Sequence, residues 1–191
     1  MQSLLQEMLH FMRLSSSGLR MRPREFDLAD LLEKIAAPYR YRCGTRMRLS
    51  VHARPQIINS DPELLERAIT NLLENALRHS SARRLMLIAR LGEGRIRIWV
   101  VDDGRGMDEA RAALAFEPFA NAGQAGEVTG FGLGLPSARL IARELGGDLV
   151  LDRRVRKGCS FMLELPALPP SPALRTGQAP TDVEEPPCVA A

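Results

Sequence analysis

Lysine is nearly absent from this chain of 191 residues: Lys34 and Lys157 are its only two, and arginine carries almost all of the positive charge. Cysteine is as sparse. Cys43, Cys159 and Cys188 are scattered, odd in number and without a C-x-x-C pair, which speaks against a disulfide framework or a zinc site and fits a reducing compartment. His10, His52 and His79 share no metal-ligand spacing. Aromatic residues make up only 5%, so the core must be built from Leu, Ile, Val, Ala and Met. Arginines gather in "RMRPR", "RYRCGTRMR" and "RRLMLIAR", but without interleaved aromatics, and with acidic residues spread throughout, they read as a solvated basic face and exclude nucleic acid as the expected partner. No apolar run reaches the length that crosses a bilayer. The N-terminal apolar stretch contains Glu7 and His10 and has no basic leader, so no signal peptide is expected and the expected compartment is cytoplasmic.

What is present is an ordinary globular balance: 45% hydrophobic, 26% charged, and a net charge of +3. Three regions differ in character. Residues 1–24 are a helix and a linker. In "MQSLLQEMLHFMRLSSS", Leu4, Leu5, Met8, Leu9 and Met12 share one helical face. Such a helix is too short to be stable in water by itself, so its stripe needs a partner, either its own domain or a second copy in a homodimer. Residues 25–166 have the pattern of a mixed α/β domain. Residues 167–191 are rich in Pro, Ala and Thr, and a disordered tail is expected there; "PALPPSP" could also serve as a polyproline ligand.

Within 25–166, "DLADLLEKIAAPYR" reads as a helix that Asp27 can cap, and "RLSVHA" alternates like a strand. "SDPELLERAITNLLENALRHS" carries the strongest helical period: Ser60 or Asp61 can cap it, Pro62 suits its first turn, and Leu64, Leu65, Ala68, Ile69, Leu72, Leu73 and Ala76 line one side. "RRLMLIARL" and "GRIRIWVVDD" form a strand pair about "GEG". "DEARAALAF" and "LPSARLIARELGG" are helices, the second ended by Gly146 and Gly147. "DLVLDRR" and "GCSFMLELP" close the domain as a hairpin.

Four short motifs carry the chemistry. In "NLLENALRH", Asn71 and Asn75 are four apart and share a helix face, offering amide oxygens to a hard cation such as magnesium, which also takes waters and phosphate oxygens. The plainer alternative is that one of them faces solvent. In "DDGRGM", Asp102 follows a strongly apolar strand; its carboxylate can accept a hydrogen bond from an exocyclic amine, an interaction of about 1.5–3 kcal/mol. Gly104 and Gly106 then turn the backbone and leave room for a flat ring. In "FEPF", Phe116 and Phe119 precede the small, polar segment 120–129, the pattern of a loop hinged by aromatics or of an ordinary surface loop. In "TGFGLGL", Gly130, Gly132 and Gly134 run into a helix whose free N–H groups favour an anion, with Thr129 and Ser137 as further donors. The spacing is neither that of a P-loop nor that of a Rossmann turn.

Taken in order, "NLLENA", "DDGRG", "FEPF" and "GFGLGL" resemble the ATP-binding catalytic domain of sensor histidine kinases, which belongs to the wider fold of gyrase, Hsp90 and MutL. The resemblance covers roughly 25–166, and residues 1–24 are similar to the end of the second dimerisation helix of such kinases. It implies an α/β fold, an α+β two-layer sandwich of a mixed sheet and helices, with ATP between the long helix and the glycine-rich lid. By that resemblance Asn71 and Asn75 hold the Mg2+–phosphate group, Asp102 reads the adenine amine, and Gly104 and Gly106 shape the adenine pocket. Thr129, Gly130, Gly132, Leu133 and Gly134 take the phosphates. Arg78 and His79 stand where the family often has a basic residue and a tyrosine, and are expected to face phosphate and nucleotide.

The same resemblance bears on the reaction. Hydrolysing relatives place a glutamate where Asn71 stands, and an amide cannot accept a proton from water. Loss of a general base costs roughly 10²–10⁴-fold, which favours phosphoryl transfer over hydrolysis. Glu74 lies on the same helix but three residues along. Two features depart from the family pattern. His10 is followed by "FMRL", which does not fit the phosphoacceptor context, so that histidine is expected on a dimerisation domain absent from this chain, with a response regulator as the onward partner and a parent kinase possibly anchored in the inner membrane. In addition, "FANAGQAGEVTG" has no Arg or Lys, although the transferred phosphoryl group needs positive clamps. Weak kinase activity is expected unless Arg78, Arg105 or a partner supplies the charge. A serine kinase of the anti-sigma-factor type and a non-catalytic ATP-binding regulatory module remain as alternatives.

Overall fold

The long helix at the centre of the domain is set at its start by one aspartate. Helix α2 spans Pro62–His79, and the side chain of Asp61 accepts from the N–H groups of Glu63 (3.0 Å) and Leu64 (3.1 Å). Of the two candidate caps it is therefore Asp61 that serves, while Ser60 ends a strand. Pro62 takes the first turn, where its missing N–H costs nothing. Leu64, Leu65, Ala68, Ile69, Leu72, Leu73 and Ala76 are all buried, the stripe that the 3.6 period implies. Helix α1, Leu28–Cys43, begins in the same way: Asp27 accepts from Ala29 N (2.7 Å) and Asp30 N (3.2 Å). Pro38 lies inside α1 but on its exposed side, and Gly44, at φ +54°, ends it.

The computed structural model describes residues 12, 21–44, 46–120, 132–155 and 157–167. The expected N-terminal helix (apart from Met12), the tail from residue 168, and Thr129 and Gly130 lie outside the described residues. The described chain runs β1 (Arg24–Asp27), α1, β2 (Arg48–His52), β3 (Ile57–Ser60), α2, β4 (Arg84–Gly92), β5 (Arg95–Asp102), α3 (Glu109–Leu114), α4 (Gly134–Glu144), β6 (Asp148–Leu151) and β7 (Ser160–Pro166).

Strands β2, β4, β5, β7 and β6 form one sheet in that order; β2 and β4 are parallel and the remaining neighbours antiparallel. The β4–β5 hairpin turns on Glu93 and Gly94, both at positive φ (55° and 69°), the two-residue geometry that suits the sheet's twist. Leu85, Leu87, Ile96, Ile98, Val100, Leu149, Phe161, Leu163 and Leu165 point to one face, where they meet the buried sides of α1, α2 and α4. The opposite face carries the half-buried Met86, Ile88, Trp99 and Met162 and an ion pair between Arg97 Nε and Glu164 (2.6 Å). This is the mixed-sheet, two-layer α/β sandwich expected from the motifs.

One feature was not legible beforehand. Strands β1 and β3 form a separate antiparallel pair, Arg24 opposite Ser60 through Asp27 opposite Ile57. Four residues each is too short for a period-2 pattern to declare itself. The backbone N–H of Arg22 also donates to Asp61 Oδ2 (2.7 Å), so the segment entering β1 is tied to the cap of α2.

Candidate functional site

The site lies along one side of α2 and around the end of β5. On α2, Asn71, Asn75 and His79 follow at intervals of four and form one stripe, each half-buried. Among the described residues neither asparagine amide has a hydrogen-bond partner in the protein. Half-buried amides without partners are costly unless something fills their valences. Facing Asn71 is the beginning of α4: a Cβ on Gly134 would come within 3.9 Å of the Asn71 carbonyl oxygen. Among the described residues no side chain caps α4, which leaves its first N–H groups and the positive end of its dipole free of a side-chain acceptor. Leu133 anchors the turn by burying its side chain, and Gly132 takes φ +69°.

At the other end stands Asp102. It is the last residue of β5 and is 5% exposed. Its Oδ1 accepts from Gly104 N at 2.9 Å, and its own N–H donates to the Cys159 carbonyl at 2.9 Å. Burial raises the pKa of its carboxyl, an effect opposed by the N–H groups of Gly104 and Cys159 and reinforced by the charge of Asp103. A buried acceptor with a raised pKa is suited to a donor brought by a ligand. Gly104 has a further reason to be glycine beyond leaving room for a ring. A Cβ there would meet the Ser80 carbonyl oxygen at 2.0 Å, because the loop is pressed against the end of α2 and Arg105 N donates to that same oxygen (3.1 Å). Gly106 adopts φ +75°.

The two basic expectations separate. His79 stays on the stripe of the asparagines; burial lowers its pKa, and the nearby charges of Arg78, Arg105 and Arg111 lower it further. Arg78 instead lies on the stripe of Glu74, with its Nε 3.9 Å from Glu74 Oε2. Glu74 is turned to the α1 side: it accepts from Tyr39 OH (3.0 Å) and pairs with Arg42, whose hydrogen bond holds its carboxyl below the usual range. Its other partner, the Tyr39 phenol, is pushed up to about 12 by burial and by Glu74. Glu74 is therefore committed away from the amide face and cannot stand in for the glutamate that Asn71 replaces.

Of the two phenylalanines of "FEPF", Phe116 is fixed. Its ring meets Phe161 edge-on (centroids 6.2 Å apart, 84°) and lies under the Arg139 guanidinium at 4.8 Å. Arg139 is itself held by both carboxylate oxygens of Asp148 (2.9 and 3.0 Å). Phe119 is 40% exposed and at φ +62°.

Cys159 and Gly158 were not anticipated from the motifs. Asp102 on β5 has the parity of Ile96, Ile98 and Val100, and Cys159 that of Phe161, Leu163 and Leu165. The two are cross-strand neighbours on the inner face. Burial and the Asp102 charge raise the Cys159 thiol to about 11. Gly158, at φ +81°, lets β7 approach; a Cβ would strike the Asp102 carbonyl oxygen at 1.8 Å. The alternation of "GCSFMLELP" already placed Cys159 inward, but only the strand register brings it to Asp102.

This geometry has counterparts elsewhere. The family model of histidine kinase-, DNA gyrase B-, and HSP90-like ATPases matches residues 60–169. Sensor histidine kinase AruS of Pseudomonas aeruginosa is 32% identical over 176 residues, covering 85% of this chain and 17% of AruS. Full-length ShkA, solved in complex with AMPPNP, aligns at TM-score 0.74 and 27% identity, covering 89% of this chain and 36% of ShkA. The ATP binding domain of PrrB from Mycobacterium tuberculosis aligns at TM-score 0.63 and 26% identity, covering 77% of this chain and 98% of that one. The chain spans less than a fifth of the length of curated relatives such as AruS. By its sequence match over most of the sandwich, the chain belongs to the family of histidine kinase-, DNA gyrase B- and HSP90-like ATPases.

Proposed function

We propose that this chain binds ATP with Mg2+ and transfers the γ-phosphoryl group to a histidine on a dimerisation domain, as the catalytic part of a two-component sensor kinase acting at the cytoplasmic side. The observation that carries the reading is the pair of unpartnered amides, Asn71 and Asn75, set against the uncapped start of α4. These groups fit a metal–triphosphate: neutral oxygens for a hard cation, and N–H donors for anionic oxygens. Bound magnesium would supply charge neutralisation on the phosphates.

The chain's own groups do the rest. Asp102 accepts from the adenine amine, while Gly104 N holds its other face. Asn71 cannot take a proton from water, and Glu74 is occupied by Arg42 and Tyr39, so neither serves as the general base of hydrolysis. Arg105 and Arg111 lie close enough to His79 for their charges to lower its pKa, and Arg105 is the positive group nearest in sequence to Asp102. Residues 1–24 would pair as the end of the dimerisation helix, and a response regulator would take the phosphoryl group onward.

A non-catalytic nucleotide-binding module is the second reading, favoured by the lack of Arg and Lys in "FANAGQAGEVTG". Incubation of the chain with a separate histidine-containing dimerisation domain and γ-labelled ATP separates the two. Label on the histidine supports the kinase; binding without label supports the module.

A further inference from the structure

At the free edge of the sheet lies a second concave feature, apart from the Asn71–Asp102 pocket. A cleft of about 420 Å3 opens between the end of α1 and the start of β2, lined by Arg40, Arg46, Arg48 and Arg83, with Met47 and Leu49. Four arginines from three segments line it. Arg40 comes from the last turn of α1, Arg46 and Arg48 from the entry of β2, and Arg83 from the connection between α2 and β4. The backbone makes the crowding unavoidable: Arg48 stands opposite Arg84 in the β2–β4 ladder, and Arg48 N donates to the Arg83 carbonyl (2.8 Å). Like charges on adjacent strands are destabilising.

Ordinary explanations cover only part of this cluster. Charge on an edge strand blocks edge-to-edge association, and cations suit a helix C-terminus. Arg40 meets both purposes, since its Nε donates to the edge carbonyl of Leu49 (3.4 Å) and its Nη1 pairs with Glu33 (2.7 Å). Arg46, Arg48 and Arg83 have no carboxylate at ion-pair distance among the described residues. Asp103 does not relieve them, because its Oδ1 accepts the backbone N–H groups of Arg83 and Arg84 (2.8 Å each).

We propose that this cleft binds a small ligand carrying two or more phosphate groups, at a site separate from the nucleotide pocket and independent of it. Guanidinium forks match phosphate oxygens two at a time. The volume lies in the range of small-ligand sites. Among the described residues no aromatic side chain lines the cleft, so a base would find nothing there to stack on; recognition rests on phosphates, which argues for a compact polyphosphorylated molecule over single-stranded nucleic acid.

The test is calorimetric titration of the whole chain with inorganic tripolyphosphate, without magnesium. The expected result is saturable binding, one per chain, weakened at least about ten-fold in Arg46→Ala/Arg83→Ala by loss of two charged contacts. Both residues are exposed, and the thermal midpoint of this variant should be unchanged or higher. Arg90→Ala, which removes an exposed arginine on β4, should bind as the parent does. The proposal is overturned by a failure to saturate, by unchanged affinity in the double variant, or by an equal loss in Arg90→Ala. Tighter binding of poly-glutamate would overturn it as well.

Discussion

The two ends of the pocket are built differently. Around Asp102 every backbone approach is set by the fold: Gly104 against Ser80, Gly158 against Asp102, and β5 bonded to β7. Around Asn71 and Asn75 the scaffold supplies only a helix face and a helix start, and the polar groups have no protein partners among the described residues. The contrast teaches that one end is fixed by backbone contacts, while the other presents polar groups that the proposed nucleotide would complete. Changes at the Asp102 end should therefore damage folding as well as binding, and changes at the amide end should damage binding alone.

The largest effect expected is from Gly104→Ala. Its Cβ cannot coexist with a backbone oxygen 2.0 Å away, so the loop or the end of α2 must shift. A loss of more than about 3 kcal/mol, or failure to fold, is expected in chemical denaturation. Gly134→Ala is the counterpart at the other end. Its nearest neighbour is 3.9 Å away, and helix propensity should raise stability by about 0.5–1 kcal/mol. Equal destabilisation of both variants would erase the distinction between the two ends.

Next in size is Asp102→Ala. Loss of one charged hydrogen bond should weaken ATP binding by about 1.5–3 kcal/mol, roughly ten- to a hundred-fold. Asn75→Ala should weaken binding only when magnesium is present, while leaving the thermal midpoint within about 1 °C, as for a change that removes no buried contact. A midpoint drop of several degrees would show that the amide is structural.

The pH dependence sharpens the same comparison. Burial raises the pKa of Asp102, so nucleotide affinity should fall as pH drops through a value above the ordinary carboxylate one. For His79 the folded value is depressed; its contribution to stability is present above the unfolded pKa and lost as pH falls through the folded one. Denaturation of His79→Asn against pH should show a flatter decline on the acidic side than the parent does. The smallest effect belongs to the contact between α1 and α2: Arg42→Ala should cost about 0.2–1 kcal/mol, because the Arg42–Glu74 pair is partly exposed.

Much of this was legible in the sequence. The apolar period of α2, its Asp61-Pro62 start and the strand alternation around "GEG" sufficed to place the layers. The asparagine stripe followed from spacing alone. What stayed hidden depends on long-range register. Cys159 becomes part of the site only because β7 lies beside β5, which no local pattern states. The β1–β3 pair is too short to leave a period. The direction of Glu74 was settled by Tyr39 and Arg42, which lie some thirty residues away in sequence. The arginine-rich segments "RYRCGTRMR" and "RRLMLIAR" read as a solvated face, and folding brings Arg46, Arg48 and Arg83 to a single cleft.

The most direct test of the central claim is calorimetric titration of the chain with ATP, with and without magnesium, in the parent and in Asp102→Ala. Saturable binding at one nucleotide per chain, strengthened by magnesium and weakened by the substitution, is the predicted result. No heat of binding in the parent, or an affinity indifferent to both magnesium and Asp102, would contradict it.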